Sequence, residues 1–165
     1  MFNTFFKATY CFLLLAILST SNAIAEEVVL VIKEQAASIN SEKGLSLTLK
    51  QLRSLPQVEI TTHTRWTQGE KHFKGPLLRD VLALKTKQFK QVRAVAINGY
   101  RVEIPSQDYL NFDVILALYE GEKPLTLRTK GPIWIIYPWS DSPELERGVY
   151  YARAVWQLSK LEVYD

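Results

Sequence analysis

Hydrophobic and polar positions first alternate in EEVVLVIK, Glu26 to Lys33, a β-branched run that predicts an opening strand. A polar stretch, AASINSEKG, comes next. In LSLTLKQLRSL the period lengthens: Leu47, Leu49, Leu52 and Leu55 approach helical spacing, Thr48 is available as a cap, and Pro56 closes a short helix. VEITTHTRW returns to alternation. KGPLLRDVLALK begins with Gly75-Pro76, which suits the first turn of a helix, and Leu77, Leu78, Val81, Leu82 and Leu84 give that helix one apolar face. The strongest local signal is VRAVAINGYRVEIP, two β runs joined at Asn98-Gly99, the pair favoured in a type I′ hairpin. SQDYLNF fits one helical turn capped by Ser106, DVILALYE a buried strand, GEKP a turn and LTLRTK a further strand. In GPIWIIYPW the alternation sends Ile133, Ile135 and Tyr137 to one face and Trp134 and Ile136 to the other, so one side can be core while the other borders a cavity. YYARAVWQLSKLEVYD is strand-like at both ends. Many strands with two or three short helices predict an α+β domain, and there is no internal repeat, low-complexity segment or linker.

The first 25 residues fall outside this pattern. Lys7, an apolar run around Phe12 to Leu18, and Ala23-Ile24-Ala25 have the order of a secretory signal peptide cut after Ala25. The apolar run is shorter than the roughly 20 residues that span a bilayer. The remainder, residues 26–165, has the size of one domain with one core. The only cysteine, Cys11, and the only methionine, Met1, lie in the leader. The mature chain therefore offers no disulfide, no thiolate ligand and no cysteine nucleophile, and suits an oxidising compartment outside the cytoplasm. The formal net charge of +3 falls by one with Lys7, too weak a balance to argue for nucleic acid or an anionic membrane surface.

Catalytic constellations are scarce. His63 and His72 are the only histidines, at a separation outside the usual zinc spacings. No serine sits in a nucleophile elbow, no glycine loop could cradle phosphate, and the carboxylates are scattered. Large rings are abundant instead: Trp66, Trp134, Trp139 and Trp156, with Tyr100, Tyr137, Tyr150 and Tyr151. Such a set makes either a core rich in big side chains or an aromatic wall with a few directed polar groups, as a heterocycle site needs.

FKGPLLRDVL, NGYRVEIPSQD, EGEKPLTLRTKGPIWIIYPW and the terminal RAVWQLSKLEV stand in an order and spacing that resemble the oxidoreductase molybdopterin-binding domain, the sulfite-oxidase fold, from about Val58 onward. Two departures go with the likeness. Enzymes of that family hold molybdenum through a cysteine in the segment corresponding to Thr62 to Trp66, which here reads THTRW, with His63 or Thr64 at the position. Many also keep an arginine in the strand before P-W, where this chain has Trp134. Without the thiolate, oxygen-atom transfer is not expected, while a pterin-shaped cavity can survive.

The chain is most similar to the small secreted, cysteine-less pterin-binding regulators of that fold. The resemblance implies a periplasmic, non-catalytic protein that binds a reduced, metal-free pterin and acts on the periplasmic domain of a membrane-bound diguanylate cyclase or phosphodiesterase in cyclic-di-GMP signalling. No nucleic acid and no membrane insertion after signal cleavage are expected. The alternatives are a molybdopterin-dependent oxidoreductase with a non-cysteine metal ligand, and a structural interaction protein whose pocket has filled with side chains.

The pterin-site candidates are Arg65, Trp66, Asn98, Tyr100, Asp108, Trp134, Tyr137, Trp139, Arg153 and Trp156. Trp66 either stacks on the ligand or packs in the core. Arg153 and Trp156, read on one last strand three residues apart, point to opposite faces. Arg153 is then the one expected in the pocket, its alternative being a surface salt bridge. Asn98 serves the ligand or only the turn, and Asp108 either caps its helical turn or grips a pterin edge with paired hydrogen bonds.

Overall fold

In the computed structural model, which describes residues 26–34, 44–85 and 90–164, the β-branched opening run forms β1 (Val28–Glu34). The expected signal segment, residues 1–25, and most of the polar stretch after β1 lie outside the described residues. β2 (Leu45–Thr48) takes the first leucines of LSLTLKQLRSL, and α1 (Leu49–Ser54) takes the rest. Thr48 caps α1 as expected, its side chain accepting from Gln51 N–H while Gln51 Oε1 accepts from Thr48 N–H, a reciprocal capping box.

β3 (Gln57–Thr62) and β4 (Lys71–Pro76) form an antiparallel pair. Gly75-Pro76 thus ends a strand instead of opening a helix, and α2 (Leu78–Ala83) starts after it. Tertiary packing overrides the proline's helix preference at this point. A Cβ on Gly75 would lie 1.9 Å from the Leu116 carbonyl oxygen, so no side chain fits where the two backbones cross.

The hairpin forms where expected, β5 (Gln91–Ala96) and β6 (Arg101–Pro105) pairing antiparallel, but its turn is not type I′: Gly99 has a φ of +86° while Asn98 is not left-handed, and Ala96 N–H donating to the Tyr100 carbonyl closes a three-residue loop that ends on the glycine. α3 (Ser106–Asn111) comes next, with Pro105 at the cap position and no side-chain cap bond. Ser106 is therefore the first helical residue and not a cap, because proline's fixed φ already supplies the entry geometry. β7 (Ile115–Ala117), β8 (Tyr119–Glu120) and β9 (Lys123–Pro124) divide the expected DVILALYE strand and its turn. LTLRTK is not a strand: Leu127–Thr129 is a 3-10 turn closed by reciprocal Thr126 and Thr129 bonds. β10 (Trp134–Ile136) and a second 3-10 turn, Pro143–Leu145, lead to α4 (Gly148–Arg153) and β11 (Leu158–Tyr164). The front half of the supposed terminal strand is thus a helix.

The strands form three sheets: β2-β1-β11-β5-β6, β3-β4-β8-β9, and the pair β10-β7. β1 runs parallel to β11, so the two ends of the described chain meet inside the largest sheet. Every residue of β7 and β10 is buried. That explains why WII reads as a continuous apolar run: both faces of this pair meet core, and the expected division into a core face and a cavity face does not occur.

Candidate functional site

Tyr100 joins the hairpin turn to the end of α4. Asn98 Oδ1 accepts from Tyr100 N–H at 3.0 Å, which orients Tyr100, and Tyr100 Oη donates to the Ala152 carbonyl at 3.0 Å. Between the two elements lies a cavity of about 240 Å³. Trp66, Tyr100, Tyr151 and Trp156 are its aromatic walls, and Ala96, Ala154 and Val155 contribute the small apolar surface. Among the described residues no charged side chain lines it. Asn98 also faces it, and with Oδ1 committed to the turn its Nδ2 is the donor left to meet a ligand.

Trp66 links the walls. It makes edge-on contacts with Trp156 (centroids 5.2 Å apart), Trp134 (5.9 Å) and Tyr151 (6.0 Å), and its backbone N–H donates to Thr64 Oγ1 at 3.1 Å. Edge-to-face packing of this kind holds rings in one orientation and adds about 0.5–1.5 kcal/mol per pair beyond burial. Trp156 is placed by a bridge to Trp134 just before β11.

Of the ten candidates, Trp66, Asn98, Tyr100 and Trp156 border the cavity. Trp134 is fully buried behind Trp66, its Nε1 donating to the Ala154 carbonyl at 3.2 Å, with Lys130 Nζ 5.2 Å from its ring. It is core, and does not border the cavity. Trp139 stacks on Tyr151 at 4.9 Å and does not line the cavity. Arg65 is exposed and lies over the Tyr151 ring, 4.0 Å from its centroid. Tyr151 itself, which no motif singled out, lines the cavity and also carries Trp139 and Arg65. Its location follows from α4, the helix that strand-like composition had hidden.

Arg153, Asp108 and Tyr137 form a separate buried cluster. Arg153 Nη1 donates to Asp108 Oδ2 at 2.9 Å and Oδ1 at 3.2 Å, and Tyr137 Oη donates to Oδ2 at 2.8 Å. Asp108 makes no side-chain cap bond to α3 and does not line the cavity; its carboxylate accepts from these donors, which tie α3 to α4 and to the residue after β10. Arg153 is the last residue of α4 and not part of a strand, so the opposite-face reasoning does not apply, and Trp156 is the member of that pair at the cavity.

The segment Thr62 to Trp66, where the resemblance led to an expected metal-ligand position, holds side chains already engaged with one another and with the turn after β10. Thr62 Oγ1 accepts from Ser140 N–H at 3.1 Å, and Thr64 Oγ1 is held by Thr67 and Trp66. His63 is engaged away from the cavity, Nδ1 3.0 Å from Ser140 Oγ and Nε2 2.5 Å from Glu146 Oε1. Among the described residues no three of His, Cys, Asp or Glu converge as ligands. A dithiolene-bound molybdenum would find no thiolate here.

Burial, then Glu146, pushes the Tyr151 hydroxyl up to about 12, and burial does the same for Tyr109 and Tyr164. Tyr137 is driven well above 10.0, chiefly by burial and next by Asp108. The hydrogen bond from Tyr151, at 2.5 Å, holds Glu146 below the usual carboxylate range. These phenols ionise near 10 in the unfolded chain and later in the folded one. Their contribution is complete below pH about 10 and lost as pH rises through about 12. Urea unfolding followed by tryptophan fluorescence should show stability level from pH 8 to about 9.5 and falling steeply above 10. A level profile to pH 11.5 would contradict the burial of these hydroxyls.

No family model matches the sequence, and no curated protein matches it. A solved structure does: the chain is similar to the sulfane dehydrogenase SoxCD from Paracoccus pantotrophus, with a TM-score of 0.62 and 20% sequence identity over 82% of this chain. The chain spans 38% of that chain's length. At this identity the likeness concerns the fold, which is the α+β, sulfite-oxidase-like architecture that the order of motifs implied.

Proposed function

We propose that this chain is a periplasmic, non-catalytic pterin-binding protein that regulates a membrane-bound diguanylate cyclase or phosphodiesterase through that enzyme's periplasmic domain. The observation that carries the reading is the neutral, aromatic-walled cavity with one directed amide, Asn98, in a sulfite-oxidase-like fold. At about 240 Å³ it is smaller than the roughly 300–1,000 Å³ of sites for drug-sized ligands, and suits a bicyclic ring with a short side chain. A flat heterocycle would lie among Trp66, Tyr100, Tyr151 and Trp156 and accept from Asn98 Nδ2. The absence of a cation from the lining among the described residues favours a free, uncharged pterin over a phosphorylated molybdopterin, and the engaged side chains of Thr62 to Trp66 argue in the same direction.

Regulation requires differential binding: the pterin must prefer one partner-associated state, or it cannot shift the enzyme's output. Tyr151 supports such coupling, since it lines the cavity on one side and stacks on Trp139 on the other. The test is to purify the protein from a native periplasm, extract it, and measure fluorescent pterin and molybdenum together. One equivalent of pterin without metal is expected. Stoichiometric molybdenum would overturn the reading in favour of an oxidoreductase, and neither species, together with no uptake of added tetrahydropterin, would leave a structural interaction protein.

A further inference from the structure

The four-stranded sheet ends on β3, whose ladder partner is β4. Against its other side runs a groove of about 500 Å³ that touches Val58, Glu59, Ile60 and Thr61 in succession. Neighbouring residues of a strand face opposite ways, so a depression bordered by four in a row follows the strand's edge and not one of its faces. Phe112 and Asp113, just past α3, and Pro138 and Asp141, in the turn after β10, build the far walls.

A strand paired on one side turns the N–H and C=O groups of alternate residues outward. Among the described residues, the Val58–Thr61 backbone has no hydrogen bond beyond the β3–β4 ladder. Such an edge is a template for another strand, and proteins usually blunt or cover it. Here the cover reaches only one end, where Ser140 N–H donates to Thr62 Oγ1 and His63 N–H donates to Ser140 Oγ at 3.2 Å.

Charge narrows the occupant. Among the described residues the lining carries three carboxylates, Glu59, Asp113 and Asp141, and neither lysine nor arginine. Lys74 and Arg79 answer the first two from outside the groove, at 2.7 and 2.6 Å. Asp141 is exposed and has no ion pair among the described residues. We propose that the open edge of β3 is a docking groove for a single extended, basic segment of a partner polypeptide, which adds as a strand and sets a lysine or arginine against Asp141. Main-chain hydrogen bonds supply affinity in this mode and alternate side chains supply selectivity. The recognition does not depend on what fills the aromatic cavity, although Trp139 belongs to the same turn and touches the cavity wall through Tyr151.

The probe is an acetylated, amidated octapeptide alternating lysine with valine and threonine, titrated into the purified protein and followed by amide NMR and hydrogen exchange. Binding should slow exchange of alternate amides within Val58–Thr61 by at least about tenfold at saturation, a gain of about 1.4 kcal/mol in local protection. Asp141→Lys, at an exposed position, should keep the fold and weaken binding about tenfold. Methylating alternate peptide nitrogens should abolish it. Equal binding of the methylated peptide, protection confined to other segments, or no response at millimolar peptide would each overturn the proposal. Protection without peptide that grows with protein concentration, together with a dimer mass, would assign the edge to a second copy and overturn it as well.

Discussion

Asp108→Ala should lower the thermal midpoint by on the order of 10–20 °C, the largest change expected from a single polar substitution in this chain. The ion pair it removes has side chains only 6% and 16% exposed, and Tyr137 Oη donates to the same carboxylate. Breaking a buried pair from one side costs about 3–5 kcal/mol, because the remaining charge is left without compensation. That is a large part of the 5–15 kcal/mol that typically holds a domain together. Arg153 has no reserve, since its Nε is already buried without a hydrogen-bond partner. The Asp108→Leu, Arg153→Met double variant should be more stable than Asp108→Ala, because it removes both charges at once. A double variant no better than the single one, measured by calorimetry, would mean that packing and not charge dominates at this site.

Trp66→Ala should have the largest effect on ligand binding, an affinity loss of about 5- to 150-fold for a reduced pterin, corresponding to 1–3 kcal/mol of lost stacking. Trp66 touches three other rings and lies at the cavity wall while remaining half-buried, so its removal opens the site without emptying the core. Trp66→Phe retains a ring and should recover most of the affinity. Anaerobic titration followed by fluorescence separates these cases. A Trp66→Ala protein that is folded by circular dichroism and binds as tightly as wild type would remove the pterin from this cavity.

Several features were legible in the chain because they are local. Thr48 could be read as a cap from its side chain and its place before a leucine-spaced run, and Asn98-Gly99 as a turn from the φ that glycine permits. The order of the motifs carried the sulfite-oxidase-like fold, which the SoxCD likeness supports. Trp66, Asn98, Tyr100 and Trp156 stand out in the linear chain and meet at one cavity. Other features depended on distant contacts. Gly75-Pro76 has the composition of a helix start, yet the crossing of Gly75 over Leu116 and the pairing with β3 hold it as strand.

Arg153 shows the limit most plainly. Its guanidinium suits a pterin as well as it suits a carboxylate, and its side chain alone does not choose between them. Asp108, 45 positions earlier in the chain, makes the choice by arriving at 2.9 Å. Composition and the glycine of the hairpin turn were properties of residues and near neighbours, so the linear chain could state them. Which ring walls the cavity, which is only core, and which charge meets which are set by separations closed on folding, and no short-range pattern encodes those distances.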